Sequence, residues 1–180
     1  MTAEPLSQPN SRLIAVVLGA AWSTRANSEL KRERDIAMHD LPEDNSFAPA
    51  GNDRGPFRLG IDIVDNRLVL GITMDTGAPI IRQLPSLPFK PLIKTYAQIC
   101  ENYFDSVGRC KPERLDAIDM ARRLFPNDAA GLLKKRLETK VAIDQQTARR
   151  LFTLIYLLVR QGIVSGTGFT PTARSAVIPL

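Results

Sequence analysis

The segment "FRLGIDIVDNRLVLGITM", Phe57 to Met74, constrains the fold more than any other part of the chain. Two runs rich in branched aliphatic residues flank Asp65-Asn66, a pair that tolerates the positive φ angles of a tight hairpin turn. The spacing therefore predicts two antiparallel strands. A second turn at Asp75 to Gly77 leads into "APIIRQL", which extends the pair to a three-strand meander. "DTG" in that turn resembles the aspartic-protease triplet, but that chemistry needs two carboxylates sharing a proton and the chain holds one copy.

A sheet of this kind needs an apolar cover, and the helical half of the chain offers one. From Phe89 to Val107, the residues Phe89, Leu92, Tyr96, Cys100, Tyr103 and Val107 fall on one stripe, with Lys94, Glu101 and Asp105 opposite. This predicts a helix packed on the sheet, with Cys100 as a buried structural thiol. Near the end, Asp144 caps a helix running through Gln161 whose "LFTLIYLLV" is apolar nearly all round, so that helix should sit centrally. Pro112 and Glu113 suit a helix start; that helix is expected to stop at Phe125 because of Pro126, and a short one to follow from Asp128 to Glu138.

On the N-terminal side, Arg12 to Leu18 reads as a strand and Ser28 to Leu41 as a helix stopped by Pro42. Leu30, Ala37, Met38 and Leu41 share its buried face, which leaves His39 exposed. Pro49, Gly51, Asn52, Asp53 and Gly55 disfavour regular structure up to Pro56, giving a loop of about fifteen residues. The fold class expected is α+β: a small antiparallel sheet, the three-strand meander plus the N-terminal strand, packed against four to five helices. With 180 residues and 44% hydrophobic content, one domain over residues 12–161 can bury roughly 70% of its unfolded surface. Flexible segments are expected at 1–11 and 162–180, the latter rich in Gly, Ser, Thr and Pro.

Several functions are disfavoured by what the chain contains. Two cysteines and a single histidine cannot fill a tetrahedral zinc shell unless carboxylates join, so no metal and no cofactor is expected. Two cysteines form no disulfide framework either, which favours a reducing, cytoplasmic location. "LIAVVLGAAW" is far shorter than the ~20 residues of a membrane span. Arg12 before it and the small residues after it suit a signal peptide, but Glu4 weakens the positive n-region, and a strand explains the run better. Phosphate-binding glycine loops, nucleophile elbows and CxxC pairs are all missing.

Three readings of function follow. The leading one is a binding or regulatory module without catalysis, whose recognition surface is Asp40, Glu43, Asn45 and Phe47; the aromatic can pin the loop in place. Its partner would be a protein or a small molecule, and a homo-oligomer is compatible with the sequence. The rival is an enzyme acting on a small anionic metabolite, with Arg34 or Arg150 clamping the anion and Asp40 or Glu43 moving protons. Both arginines fall near apolar helix faces, where a covered charge needs a partner such as Glu33, Asp116 or Asp119. The third is weak nucleic-acid binding through Lys134, Lys135, Arg136 and Arg149, together with the Thr153, Tyr156 and Arg160 stripe. Residues 88–161 carry 14 basic against 8 acidic side chains, enough to attract phosphate but no more than solvated lysines give.

A set of phrases adds a resemblance: "EDNSFAPAG", "GPFRLGIDIVDNRLVL", "LPFKPLIKTYAQICENYFDS", "RLDAIDMARR" and "VAIDQQTARRLFTLI", with Glu33-Arg34 ahead of them. Together they resemble the bacterial group called uncharacterised protein family 0262, over roughly residues 12 to 162 and in order. The resemblance implies a small soluble bacterial protein and carries over no catalytic residue. Pro126-Asn127-Asp128 and His39 depart from the family pattern, and neither implies a histidine catalyst.

Overall fold

The computed structural model describes residues 10–19, 28–52, 54–64, 67–76, 79–81 and 90–160. In chain order the elements are β1 (Leu13–Leu18), α1 (Ser28–Glu43), β2 (Phe47–Pro49), β3 (Phe57–Val64), β4 (Arg67–Met74), β5 (Pro79–Ile81), α2 (Lys90–Ser106), α3 (Pro112–Leu137), β6 (Val141–Ile143) and α4 (Gln145–Arg160). The expected hairpin is present: β3 and β4 pair antiparallel from Phe57 opposite Met74 to Val64 opposite Arg67, leaving the two residues of the connection outside the described part. β5 continues the meander, and β1 joins the other edge with Val16 beside Leu59, but parallel to β3, so the sheet is mixed rather than the antiparallel one expected. Parallel neighbours require a crossover. α1 lies in that crossover and packs against β1.

Alternation sets which side of the sheet is covered. Phe57, Leu59 and Ile61 are fully buried, whereas Arg58, Gly60 and Asp62 between them are only partly covered. Across the ladder Leu59 faces Ile72 and Ile61 faces Leu70, apolar pairs that fix the register. These residues join α1, α3 and α4 in one continuous core.

α4 begins where Asp144 predicts. The Asp144 carboxylate accepts a hydrogen bond from the Thr147 amide at 2.6 Å, and the Asp144 carbonyl accepts the first helical bond from Ala148. Leu151, Phe152, Leu154, Ile155, Tyr156, Leu157 and Leu158 are all buried, and α4 packs between α1 and α3. The centre of the expected α2 stripe is covered, with Ile93, Tyr96, Ala97 and Cys100 buried, whereas Val107 lies beyond the helix end and is exposed, and Phe89 lies outside the described residues. Its main neighbour, however, is α3 rather than the sheet. Tyr96 explains the difference: its ring meets Phe125, Phe152 and Tyr156 at centroid distances of 5.7, 5.9 and 4.7 Å, an aromatic nest made by α3 and α4.

Three further expectations need correction. Pro126 does not stop a helix: α3 runs through it without a break from Pro112 to Leu137. Pro126 cannot donate to the Arg122 carbonyl, a local loss of about 3 kcal/mol, but Pro126 itself, Ala129, Ala130, Leu133 and Leu137 are buried along that face and offset it. Pro42 likewise lies inside α1, which ends at Glu43; Asn45 Nδ2 donates to the Pro42 carbonyl at 3.1 Å and satisfies the helix end. Finally, the long loop contains a strand. β2 pairs antiparallel with β6, Phe47 opposite Ile143 and Pro49 opposite Val141, and both strands bury their outer two side chains.

Candidate functional site

The segment after α1 is built by polar side chains working inward. Asn45 Oδ1 accepts from the Leu13 amide at 2.7 Å, and its Nδ2 donates to the Leu13 carbonyl at 3.0 Å, so one side chain substitutes for a strand neighbour of β1. Next to it, the Ser46 amide donates to Thr147 Oγ1 at 3.0 Å and the Phe47 amide to the Ser11 carbonyl at 3.0 Å. Phe47 is 1% exposed against Phe57. Arg150 closes the cluster: its guanidinium donates to the Asp44 carbonyl and lies 3.5 Å from the Asp44 carboxylate. Asn45, Phe47 and Arg150, three residues that the sequence suggests for recognition, therefore tie β1, β2 and α4 together.

Asp40 and Glu43 face the other way. On the outer side of α1 an open groove is lined, among the described residues, by Ser28, Lys31, Arg32, Asp35, Ile36, His39 and Asp40. Ile36 is an exposed apolar residue with charges of both signs around it. At the C-terminal end of the helix, ligand atoms of His39, Asp40 and Glu43 lie within 4.8 Å of one another, and His39 Nδ1 is 3.5 Å from Glu43 Oε1. Those three donors are the set that could bind a divalent cation or a cationic group. Arg34 is turned to the buried side and bonds Asp35 at 3.0 Å. Neither Arg34 nor Arg150 lines the groove that Asp40 enters, so the anion clamp and the proton carriers of the enzyme reading are not brought together there.

The basic residues follow helix geometry. Lys134, Lys135 and Arg136 are exposed in the last turn of α3, where cations complement the helix dipole, and consecutive residues point about 100° apart. They fan around the helix rather than form one face. Arg149 is exposed on α4, but Tyr156, expected on the same stripe, is buried in the aromatic nest.

Sequence reasoning missed Arg122, which is 8% exposed. Asp119 holds its guanidinium at 2.7 and 3.0 Å, and the cation lies over the Tyr103 ring at 4.7 Å. Beside it, burial and the neighbouring Cys100 push the Tyr96 phenol above its ordinary pKa. The available signal was the i, i+3 spacing of Asp119 and Arg122 on a helix, but nothing local says that this pair would face inward.

Together these features define an α+β protein in which a crossover helix carries an open groove of mixed charge. The chain belongs to the family described as Uncharacterised protein family (UPF0262), whose model matches residues 10–161. It is similar to a UPF0262 protein of Rhodopseudomonas palustris strain TIE-1, 44% identical over 154 residues that cover 85% of this chain and 94% of that protein. A UPF0262 protein of Xanthobacter autotrophicus strain Py2 is 41% identical over 164 residues, 90% of this chain and all of the relative. One of Nitrobacter winogradskyi is 41% identical over 165 residues, 90% of this chain and 99% of the relative. No solved structure matches the chain. Among the described residues, no helix is long and apolar enough to cross a membrane.

Proposed function

We propose that the chain is a binding module whose recognition surface is the outer side of α1, centred on Asp40 and Glu43, and that its ligand presents a cationic group there. One observation carries the reading. Both carboxylates stand in the final turns of α1, which has no basic residue in its last turn. The negative end of the helix dipole disfavours acids in that position by a few tenths of a kcal/mol or more. Acids at that end do not stabilise the helix, and they complement an incoming cation. Exposed Ile36 amid Lys31, Arg32 and Asp35 supplies an apolar anchor with a charged rim, the usual composition of a recognition patch.

The test compares the wild-type chain with the double variant Asp40→Asn, Glu43→Gln as bait in bacterial extract. A specifically retained ligand should bind the variant about tenfold more weakly, ~1.4 kcal/mol, with the same thermal midpoint. Arg150→Met, away from the groove, should retain it. Equal retention by the wild type and the double variant would overturn the reading.

A further inference from the structure

We propose that the outer face of α3 is the contact face of a homodimer, in which two copies of this helix lie antiparallel about a two-fold axis.

The inner face of α3 is accounted for by α2 and α4. Its outer face is not the polar surface that a solvated helix presents. Met120 is 62% exposed, Leu124 47% and Leu132 49%. Glu113, Ala117, Met120, Leu124, Gly131 and Lys134 are all exposed and, with half-buried Asn127 between Leu124 and Gly131, recur on the alternating four and three spacing of a coiled-coil seam. The uninterrupted passage through Pro126 keeps them on one rod of 26 residues, about 39 Å long.

Gly131 is an independent observation. A glycine inside a helix costs about 1 kcal/mol relative to alanine. Here nothing among the described residues lies within 4 Å of where its Cβ would be, so no described neighbour in its own fold requires the missing side chain. A second helix approaching the seam does require it, as it does the small side chains of Ala117 and Ala121.

Charge selects the occupant and its direction. The seam starts with Glu113 and Arg114 and ends with Asp128 and Lys134, all exposed. A second copy laid parallel would set Glu113 against Glu113 and Lys134 against Lys134. Laid antiparallel with the axis level with Arg122, it sets Met120 against Leu124 of the second copy, Arg114 beside Asp128 of the second copy, and Glu113 within reach of its Lys134. Every such contact occurs twice, the self-complementarity that a two-fold interface demands. Arg123, which comes near its own symmetry mate, shares the Asp119 carboxylate with Arg122 at 2.7 Å, which lowers but does not cancel the repulsion between the two copies there.

Sedimentation equilibrium on the full chain tests this. The wild type should approach twice its 19.9 kDa as concentration rises. Met120→Glu with Leu124→Glu should weaken association at least ~100-fold while circular dichroism stays unchanged, because both side chains are exposed in the single chain. Arg114→Asp alone should weaken association. Arg114→Asp combined with Asp128→Arg in the same chain should restore it, since only the antiparallel arrangement pairs those two positions. A wild type that stays monomeric at high concentration, a dimer that survives the double glutamate variant, or a charge swap that fails to rescue would each overturn the proposal.

Discussion

α4 and α3 pack against each other, yet they use apolar residues in opposite ways. α4 is apolar around most of its circumference, and the molecule encloses it: Phe152, Leu154, Ile155 and Leu158 have no exposed surface. α3 is also apolar on two sides, but among the described residues only one of them is covered, by α2 and α4, while Met120 and Leu124 are exposed. A helix that is oily all round locates the centre of a fold. A helix with a second oily side that the fold does not use locates a contact with something outside it.

The largest expected effect lies on the enclosed helix. Phe152 touches Tyr96 and Phe125 with ring centroids 5.9 and 6.5 Å away, at full burial. Phe152→Ala removes those contacts and leaves a cavity that rigid helices on either side cannot close, so urea unfolding should report a loss of about 3–5 kcal/mol. A loss under 1 kcal/mol would mean that α4 is not the centre of the core and that its contrast with α3 is false.

A smaller effect belongs to the boundary between the two sides of α3, where Arg122 enters the interior with Asp119. Removing only the acid in Asp119→Ala leaves a largely covered cation without its hydrogen-bond partner, and should cost about 2–3 kcal/mol in the same assay. Arg122→Met keeps the volume and removes the charge, so it should be milder than Asp119→Ala. The reverse order would show that the Tyr103 contact, not the ion pair, holds the guanidinium in place.

Much of this architecture is legible before any coordinates. The β3–β4 hairpin has a strong period of two and a turn pair between its halves; the Asp144 cap and the apolar run of α4 are equally local signals. β2 and β6 are not legible, because three residues carry almost no periodicity and their pairing joins Phe47 to Ile143, far apart along the chain. Pro42 and Pro126 mislead for a related reason. Proline's local cost is readable, but the tertiary burial that outweighs it is not. The same holds for the candidate site. Asp40, Glu43 and Asn45 can be picked out as unusual, yet whether an Asn faces a ligand or bonds the backbone of a distant strand depends on where β1 runs. Arg122 is the converse, an arginine with a nearby acid like several others in the chain until α2 covers it.

The smallest effect tests the bare side of α3 most sharply. In dilute protein, Met120→Gln should change unfolding free energy by less than about 0.5 kcal/mol, since the side chain is 62% exposed and packs against little. In concentrated protein the two chains should separate. Self-association stabilises the folded state by mass action, so the wild-type thermal midpoint should climb with concentration while that of Met120→Gln rises less. If both midpoints are independent of concentration, the apolar side of α3 is not covered by a second copy, and α3 differs from α4 only in how much of its surface the fold leaves to water. If Met120→Gln destabilises even the dilute chain by more than 1 kcal/mol, the side chain is already packed within one molecule and the two helices differ less than their exposures indicate.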